Sequence, residues 1–387
     1  MPVALTAAAC VTPQRFLDDP LLLVEDGVIA WVGRRAEAEP PKGARTVDFP
    51  GAVLAPGFLD VHIHGGAGHD VMSCDAAGFA ALENHLARHG VTSYLSTTVT
   101  APVDDTLHAL DRLATAIELA EKAPIGELRA QPIGIHLEGP FLSHERRGVH
   151  PPEHLQAPSI DLFRRFWEAA RGRIRIMTLA PELPGAGELI REAVGRGVCV
   201  SLGHSDAGYE AAETSIDAGA RHATHTFNAM RPLDHRDPGM IAAVLNDARV
   251  CAEIIVDGIH VAPPMVELFL RAKGADGALL VSDAISATGM GDGRWRLGSF
   301  EVEVHGGICH GGEGKLAGSV LTLDRAVQNV MAFAHWELQD AVRLATLNPA
   351  RELNELSNRG TLAPGARADI AVLSPEGEVR QTMVRGE

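Results

Sequence analysis

The chain has no surplus of positive charge: 34 Lys and Arg against 50 Asp and Glu leave a formal net charge of −16. Nucleic acids and acidic membrane surfaces are gripped by basic faces, so neither is an expected partner. An anionic substrate would need a local cluster of positive donors. Paired cysteines are also missing. The five present, Cys10, Cys74, Cys199, Cys251 and Cys309, are scattered, odd in number and without Cys-x-x-Cys spacing. That excludes a disulfide framework or a zinc ribbon and fits a reducing cytoplasm. No run reaches transmembrane length, and the first ten residues lack the basic start and long apolar stretch of a signal peptide. What is there is 387 residues, 46% hydrophobic and 22% charged, enough to bury a large core in a soluble globular protein.

Residues 1–54 alternate short apolar runs with turn signals. In Leu21 to Val24, Glu25-Asp26-Gly27 and Val28 to Val32, an Asp-Gly between two β-rich runs predicts a hairpin. This β element is too short to fold alone. A partner stands at the other terminus, where Gly360 to Leu373 and Glu378 to Val384 read as further turn-punctuated strands. Residues 1–54 and 351–387 are therefore expected to make one small β-sandwich.

Between them, over 55–350, strands and helices alternate, which predicts a parallel sheet with crossover helices. The strands are expected at 56–66, 91–99, 132–138, 174–180, 198–204, 222–227, 250–256 and 278–283. Helices are expected from Asp75 to His89 and from Val103 to Lys122. Eight parallel strands in about 230 residues is what a (β/α)8 TIM barrel needs, whereas no Gly-rich phosphate fingerprint follows the first strand to support a doubly wound sheet. Residues 285–318 read as a glycine-rich, irregular insertion, with helices from about Val320 to Ala350 after it.

The stretch Pro56-Gly-Phe-Leu-Asp60-Val-His62-Ile-His64-Gly-Gly66 is the centre of the pattern. Side chains two apart on a strand share a face, so His62 and His64 point the same way. A lone pair of this kind is more often two hydrogen-bonded core histidines than two ligands. Here, however, Glu138 closes strand three, His204 strand five, His225 strand six and Asp283 strand eight. The C-terminal strand ends are where such a barrel carries its chemistry. Six metal-competent side chains converging on one mouth suit zinc, or a borderline divalent ion such as iron or cobalt. No lysine stands at a strand end, so Glu138 would have to bridge if two ions bind.

Several blocks carry a resemblance: the 56–66 stretch, His136-Leu-Glu138-Gly-Pro-Phe141, Gly203-His204-Ser205, Thr224-His225-Thr-Phe-Asn228-Ala229-Met230, Asp257-Gly-Ile-His260, Ser282-Asp283-Ala284 and Leu316-Ala-Gly-Ser319. Together they resemble the amidohydrolase superfamily and, within it, the N-acetylglucosamine-6-phosphate deacetylase family. The resemblance implies that Glu138, His204 and His225 hold a metal always present, while His62 and His64 hold a second ion found in some members, giving one or two ions per subunit. It makes Asp283 the catalytic acid/base and His150 a substrate-contacting histidine that helps stabilise the oxyanion. Asn228, Ala229 and His260 would contact the sugar phosphate, and Arg236 would be donated by the neighbouring subunit of a homodimer. The implied reaction is hydrolysis of the N-acetyl group of N-acetylglucosamine 6-phosphate by metal-activated hydroxide, giving glucosamine 6-phosphate and acetate. The alternatives are another amide hydrolase of the superfamily, acting on N-acetylgalactosamine 6-phosphate, a cyclic amide or an N-acyl amino acid, and a non-catalytic scaffold. His136 is expected beside the ligands without being one. His85, His89 and His108 are expected on solvated helix faces, and His69, His144, Arg146 and Arg147 in loops without a role.

Overall fold

The computed structural model describes residues 2–12, 16–124, 126 and 129–387; Met1 and residues 13–15 of the expected N-terminal β element lie outside that set. Eight parallel strands follow one another around a barrel, each hydrogen-bonded to the next: Phe58–Ile63, Val91–Thr98, Gln131–Glu138, Ile174–Leu179, Cys199–Leu202, His222–Ala223, Cys251–Ile254 and Ala278–Leu280. The ring closes just beyond the last strand, where Asp283 N–H donates to the His62 carbonyl at 2.9 Å and His64 N–H donates to the Ala284 carbonyl at 2.8 Å. The fold is the TIM-like barrel expected from the alternation.

Covered outside by helices and filled inside by side chains, the strands are buried on both faces, and that is why they read as nearly continuous apolar or Ser/Thr runs. Val91–Thr98 is buried at all eight positions. The helices start and stop where local chemistry dictates. Asp75 accepts a hydrogen bond from Gly78 N–H at 2.9 Å and caps Ala76–Arg88, and Gly90 just beyond it takes φ 81°, a left-handed conformation that glycine adopts without steric cost. Val103–Lys122 buries Thr106, Ala109, Leu110, Leu113, Ala114 and Ile117, a stripe at helical spacing laid against the barrel.

The two termini build one mixed sheet of seven strands. Its hydrogen-bonded path runs Val379–Met383, Ile370–Leu373, Arg45–Pro56, Val3–Val11, Pro20–Glu25 and Val28–Arg34, with Phe16–Asp18 paired to Val3–Val11. The far edge turns back on the near one, since Ile29 N–H donates to the Ala366 carbonyl at 2.8 Å and Ala368 N–H to the Gly27 carbonyl at 3.0 Å. Leu5, Leu22, Ile29, Leu54, Ile370 and Val372 share the core enclosed by this curled sheet. Neither terminal segment could bury that face alone.

Two sequence expectations need correction. The insertion at 285–318 is not irregular throughout: Gly293–Leu297, Phe300–His305 and Ile308–His310 form an antiparallel meander. Gly306 and Gly307, both at positive φ, make the two-residue turn between the last two strands. A Gly-Gly between alternating runs is a hairpin signal, and Leu297, Val302, Val304 and Cys309 carry the buried half of the alternation. His85 and His89 are half-buried rather than solvated, because their helix face packs near Asp324, whose carboxylate takes His89 Nδ1 at 3.1 Å. His108 is exposed as expected.

Candidate metal centre and active site

The residues that end the barrel strands meet at one mouth. Glu138 is the last residue of its strand, while His204, His225 and Asp283 lie just past theirs with φ of 48°, 27° and 50°. Left-handed backbone at a non-glycine residue costs on the order of 1–3 kcal/mol and persists only where surrounding structure imposes it. Here the barrel rim does so. Ser319 N–H donates to the Asp283 carbonyl at 2.8 Å, Ser319 Oγ to the Ser282 carbonyl at 2.5 Å, and Asp283 N–H to His62 O. Gly318, at φ 60°, lets this chain approach, since a Cβ there would fall 2.4 Å from Ile285 Cγ2 and 3.0 Å from the Asp283 carbonyl.

Glu138 stands between two groups of side chains. Its Oε1 is 3.2 Å from His204 Nε2, 3.2 Å from His225 Nε2 and 3.4 Å from His62 Nε2. Its Oε2 is 3.4 Å from His64 Nε2 and 3.5 Å from His150 Nε2. Asp283 Oδ1 is 3.1 Å from His64 Nε2 and 3.5 Å from His62 Nε2. His204 and His225 bring their Nε2 atoms to 3.0 Å of one another. All six side chains expected at the mouth are thus brought together and buried.

The hydrogen bonds on the far sides of the rings decide what those nitrogens can do. His204 Nδ1 is 3.0 Å from the Arg146 carbonyl and His64 Nδ1 is 3.1 Å from the Thr97 carbonyl. A carbonyl only accepts, so both Nδ1 atoms carry the hydrogen and leave a lone pair on Nε2 when the ring is neutral. His62 Nδ1 faces the Glu253 carboxylate at 3.0 Å, with the same result. Burial pushes the His204 pKa down to about 4, so that ring is neutral. A bare lone pair then faces a carboxylate oxygen at 3.2 Å and the His225 Nε2 at 3.0 Å, an arrangement relieved by a cation among them or by a hydrogen on His225 Nε2, whose Nδ1 has no hydrogen-bond partner. The donor set of nitrogen and carboxylate oxygen fits such a cation. Burial by itself would raise Glu138 and Asp283, but the surrounding histidines outweigh it and hold Asp283 below, and Glu138 well below, the usual carboxylate range. Burial also opposes charge on His62, and Glu138, Glu253 and Asp283 together overcome it and raise that ring well above its ordinary value.

His150 is wired the other way. Thr100 N–H donates to its Nδ1 at 3.2 Å, so the ring hydrogen sits on Nε2 and points into the mouth. His204 offers a lone pair, and His62 and His64 do so once neutral; His150 offers a donor. A cavity of about 300 Å³ opens above them, and Glu138, His150, Asn228, Ala229, His260 and Asp283 are among its lining residues. His260 is fixed by its Nδ1–H to Asp257 Oδ2 at 2.7 Å. Burial works against its charge, but Asp257 prevails and raises the ring's pKa. Arg236 is not in this lining: it is exposed in the loop after His225, with its N–H donating to Asp234 Oδ1 at 2.8 Å.

Side chains expected to have no role sort out clearly. His136 spends Nδ1 on the Val61 carbonyl at 3.0 Å and Nε2 on Thr178 Oγ1 at 2.7 Å, so neither nitrogen faces the mouth. Arg146 is tied to Asp206 at 2.7 Å and Arg147 to the His144 carbonyl at 3.0 Å; the Arg146 contribution is its carbonyl, which orients His204. Two supporting residues escaped the sequence reading. Glu253 holds His62 Nδ1 and accepts from His225 N–H at 2.9 Å, so it fixes a residue from each group. Asp60 accepts from His62 N–H at 3.2 Å and from Ser282 Oγ at 2.5 Å. The signal for Glu253 is a lone carboxylate in the apolar run Val250 to Val256, a position that burial makes costly unless it is partnered.

A barrel of this kind with histidines and carboxylates converging at its C-terminal mouth defines a class, the metal-site hydrolases built on parallel barrels. The chain belongs to the amidohydrolase family, whose model matches residues 53–387. It is 37% identical over 383 residues to an N-acetylgalactosamine-6-phosphate deacetylase of Escherichia coli O157:H7, covering 99% of this chain and 98% of that protein. It is 36% identical over 364 residues to an N-acetylglucosamine-6-phosphate deacetylase of Lysinibacillus sphaericus, covering 94% and 91%. Among solved structures, an Asp-to-Ala variant of N-acetyl-D-glucosamine-6-phosphate deacetylase from Mycobacterium smegmatis, in complex with N-acetyl-D-glucosamine-6-phosphate, superposes with a TM-score of 0.92 at 36% identity, covering 100% of this chain and 98% of that one.

Proposed function

We propose that this amidohydrolase removes the acetyl group from N-acetylglucosamine 6-phosphate, releasing acetate and glucosamine 6-phosphate. The observation that carries the reading is the opposed wiring of one cavity: His150 presents an N–H and Asp283 a carboxylate to the same space that the ligand lone pairs enter. An amide hydrolase needs both.

Glu138, His204 and His225 would hold one divalent ion, zinc by donor type with iron or cobalt as alternatives, and His62 and His64 a second where two bind. A cation there supplies Lewis acidity that brings the pKa of a water from about 15.7 down to about 7. Asp283 Oδ1 accepts the proton of the attacking water and returns it to the amine nitrogen as the C–N bond breaks. The Nε2–H of His150 donates to the acetamide oxygen as negative charge grows on it. Asn228, the Ala229 backbone and His260 line the side of the cavity that would take the sugar phosphate. Arg236 lies outside the cavity of its own chain, so a role in binding phosphate would require its donation by the partner of a homodimer. Five free cysteines suit a cytoplasmic enzyme.

N-acetylgalactosamine 6-phosphate is the second substrate reading, favoured by the 37% identity to the E. coli O157:H7 protein over nearly the whole chain. A scaffold that has lost catalysis is disfavoured by the presence of every ligand and of Asp283, all buried at one mouth. The test is acetate release from N-acetylhexosamines with and without a 6-phosphate. Release from N-acetylglucosamine 6-phosphate, and little from the unphosphorylated sugar, is expected. Equal turnover of both would discard the phosphate sites, and a preference for the galactosamine isomer would move the assignment to it.

A further inference from the structure

The opposite end of the barrel carries a second group of metal-competent side chains that deacetylation does not use. Cys199 and His222 open strands five and six, and Glu352 ends the helix Leu347–Glu352 beneath them. One ligand atom from each lies within 4.8 Å of the others. Glu352 Oε2 is 3.7 Å from His222 Nδ1 and 4.0 Å from Cys199 Sγ. Cys251 opens strand seven in register with His222, on the same strand face.

The second observation is an orphaned nitrogen. His222 is completely buried, its Nε2 lies 3.0 Å from Glu253 Oε1, and its Nδ1 has no hydrogen-bond partner. The carboxylate of Glu253 accepts only, so Nε2 carries a hydrogen. Burial opposes charge on the ring, but Glu253 and Glu352 overcome it and raise the pKa to about 9, so a cation would displace a proton from Nδ1 to take the lone pair aimed at Cys199 and Glu352. A separation of 3.7 Å is too long for a hydrogen bond. Metal–ligand bonds of about 2.0–2.3 Å at a tetrahedral angle place two donors roughly 3.3–3.7 Å apart. No Lys or Arg among the described residues reaches Glu352 within ion-pair distance. Its side chain is 19% exposed, which leaves a path from solvent.

We propose that Cys199, His222 and Glu352 form a floor site for a thiophilic divalent cation, zinc by its donors, with a water completing four ligands. Thiolate and carboxylate together balance the two positive charges. Burial, then the Glu352 carboxylate, push the Cys199 thiol up and keep it protonated without a cation. Binding therefore forms the S–metal and N–metal bonds and releases the Cys199 thiol proton and the His222 Nδ1 proton to solvent. The rival occupant is a proton on Nδ1, which would make His222 an imidazolium between Glu253 and Glu352.

Cobalt separates the two, because the mouth offers only nitrogen and oxygen donors whereas the floor offers a thiolate. The enzyme is loaded with Co2+, freed of excess and examined by near-ultraviolet absorption and metal analysis. A thiolate-to-cobalt charge-transfer band is expected, and Cys199→Ser should remove it together with one ion per chain while acetate release continues. Glu352→Gln, at a partly exposed position, should weaken the same band if Cys199→Ser fails to fold. A folded, cobalt-loaded enzyme with no thiolate band would overturn the site, as would a band and ion count that Cys199→Ser leaves unchanged. The band and the ion count do not depend on turnover, so they stand whether or not the substrate assignment holds.

Discussion

The two groups that meet at the mouth are built on different backbone. His62 and His64 come from the end of a regular strand and share a face through simple alternation, with Glu253 and the Thr97 carbonyl behind them. His204 and His225 stand on left-handed residues past short strands, and Glu138 is followed by Gly139 at φ 77°. The first pair is specified by local pattern and needs no strain. The second is imposed by the whole rim, at a local cost of on the order of 1–3 kcal/mol for each left-handed residue. The difference teaches which part can change: the strand pair can be replaced without disturbing the backbone, whereas the strained set is committed to its geometry. That difference supports the proposal that Glu138, His204 and His225 hold the primary ion.

Glu138→Ala probes that asymmetry with the largest effect, since it removes the one charged group touching both sets. It should lose the primary ion and bring acetate release to background, while a variant with full metal content by mass spectrometry would contradict the assignment. Asp283→Asn keeps shape and hydrogen bonding but loses the proton acceptor. A fall in kcat of roughly 100-fold or more is expected with metal retained, and near-normal kcat would remove Asp283 from the role. Changing His62 to Gln and His64 to Asn together should leave at least one ion bound and cost less than Asp283→Asn. Loss of all metal in a folded double variant would reverse the order of the two halves.

The smallest effect concerns neither half but the phosphate. Arg236→Ala should raise KM for the phosphorylated substrate by roughly tenfold or more, the loss of about one charge-assisted hydrogen bond. Subunits carrying Asp283→Asn and Arg236→Ala, unfolded together and reassembled, should regain about a quarter of wild-type sites under random pairing in a two-fold dimer. Verified hybrids no more active than the average of their parents would place Arg236 in its own chain or outside the site.

Much of this is legible in the sequence because the alternation of strands with helices and the positions of Glu138, His204, His225 and Asp283 at strand ends are local patterns. The sequence pattern predicts a sixth strand over 222–227, yet only His222–Ala223 is regular. The reason is the turn that aims His225 inward, since a left-handed residue cannot continue a strand. The mouth's wiring was also out of reach. Which imidazole offers a lone pair and which a proton depends on Arg146 O, Thr97 O and Thr100 N–H, none of which is a side chain that a motif records. Glu253 was hidden for a related reason: it is a single charge in an apolar run, and only the closed barrel brings His62, His222 and His225 around it.

The claim that the converging lone pairs hold a catalytic cation is tested most directly by stripping and restoring metal on one preparation. Chelation should abolish acetate release in step with loss of the last tightly bound mouth ion, and one equivalent of zinc per chain should restore most of it. A protein freed of detectable metal that still releases acetate from N-acetylglucosamine 6-phosphate at its original rate would contradict it.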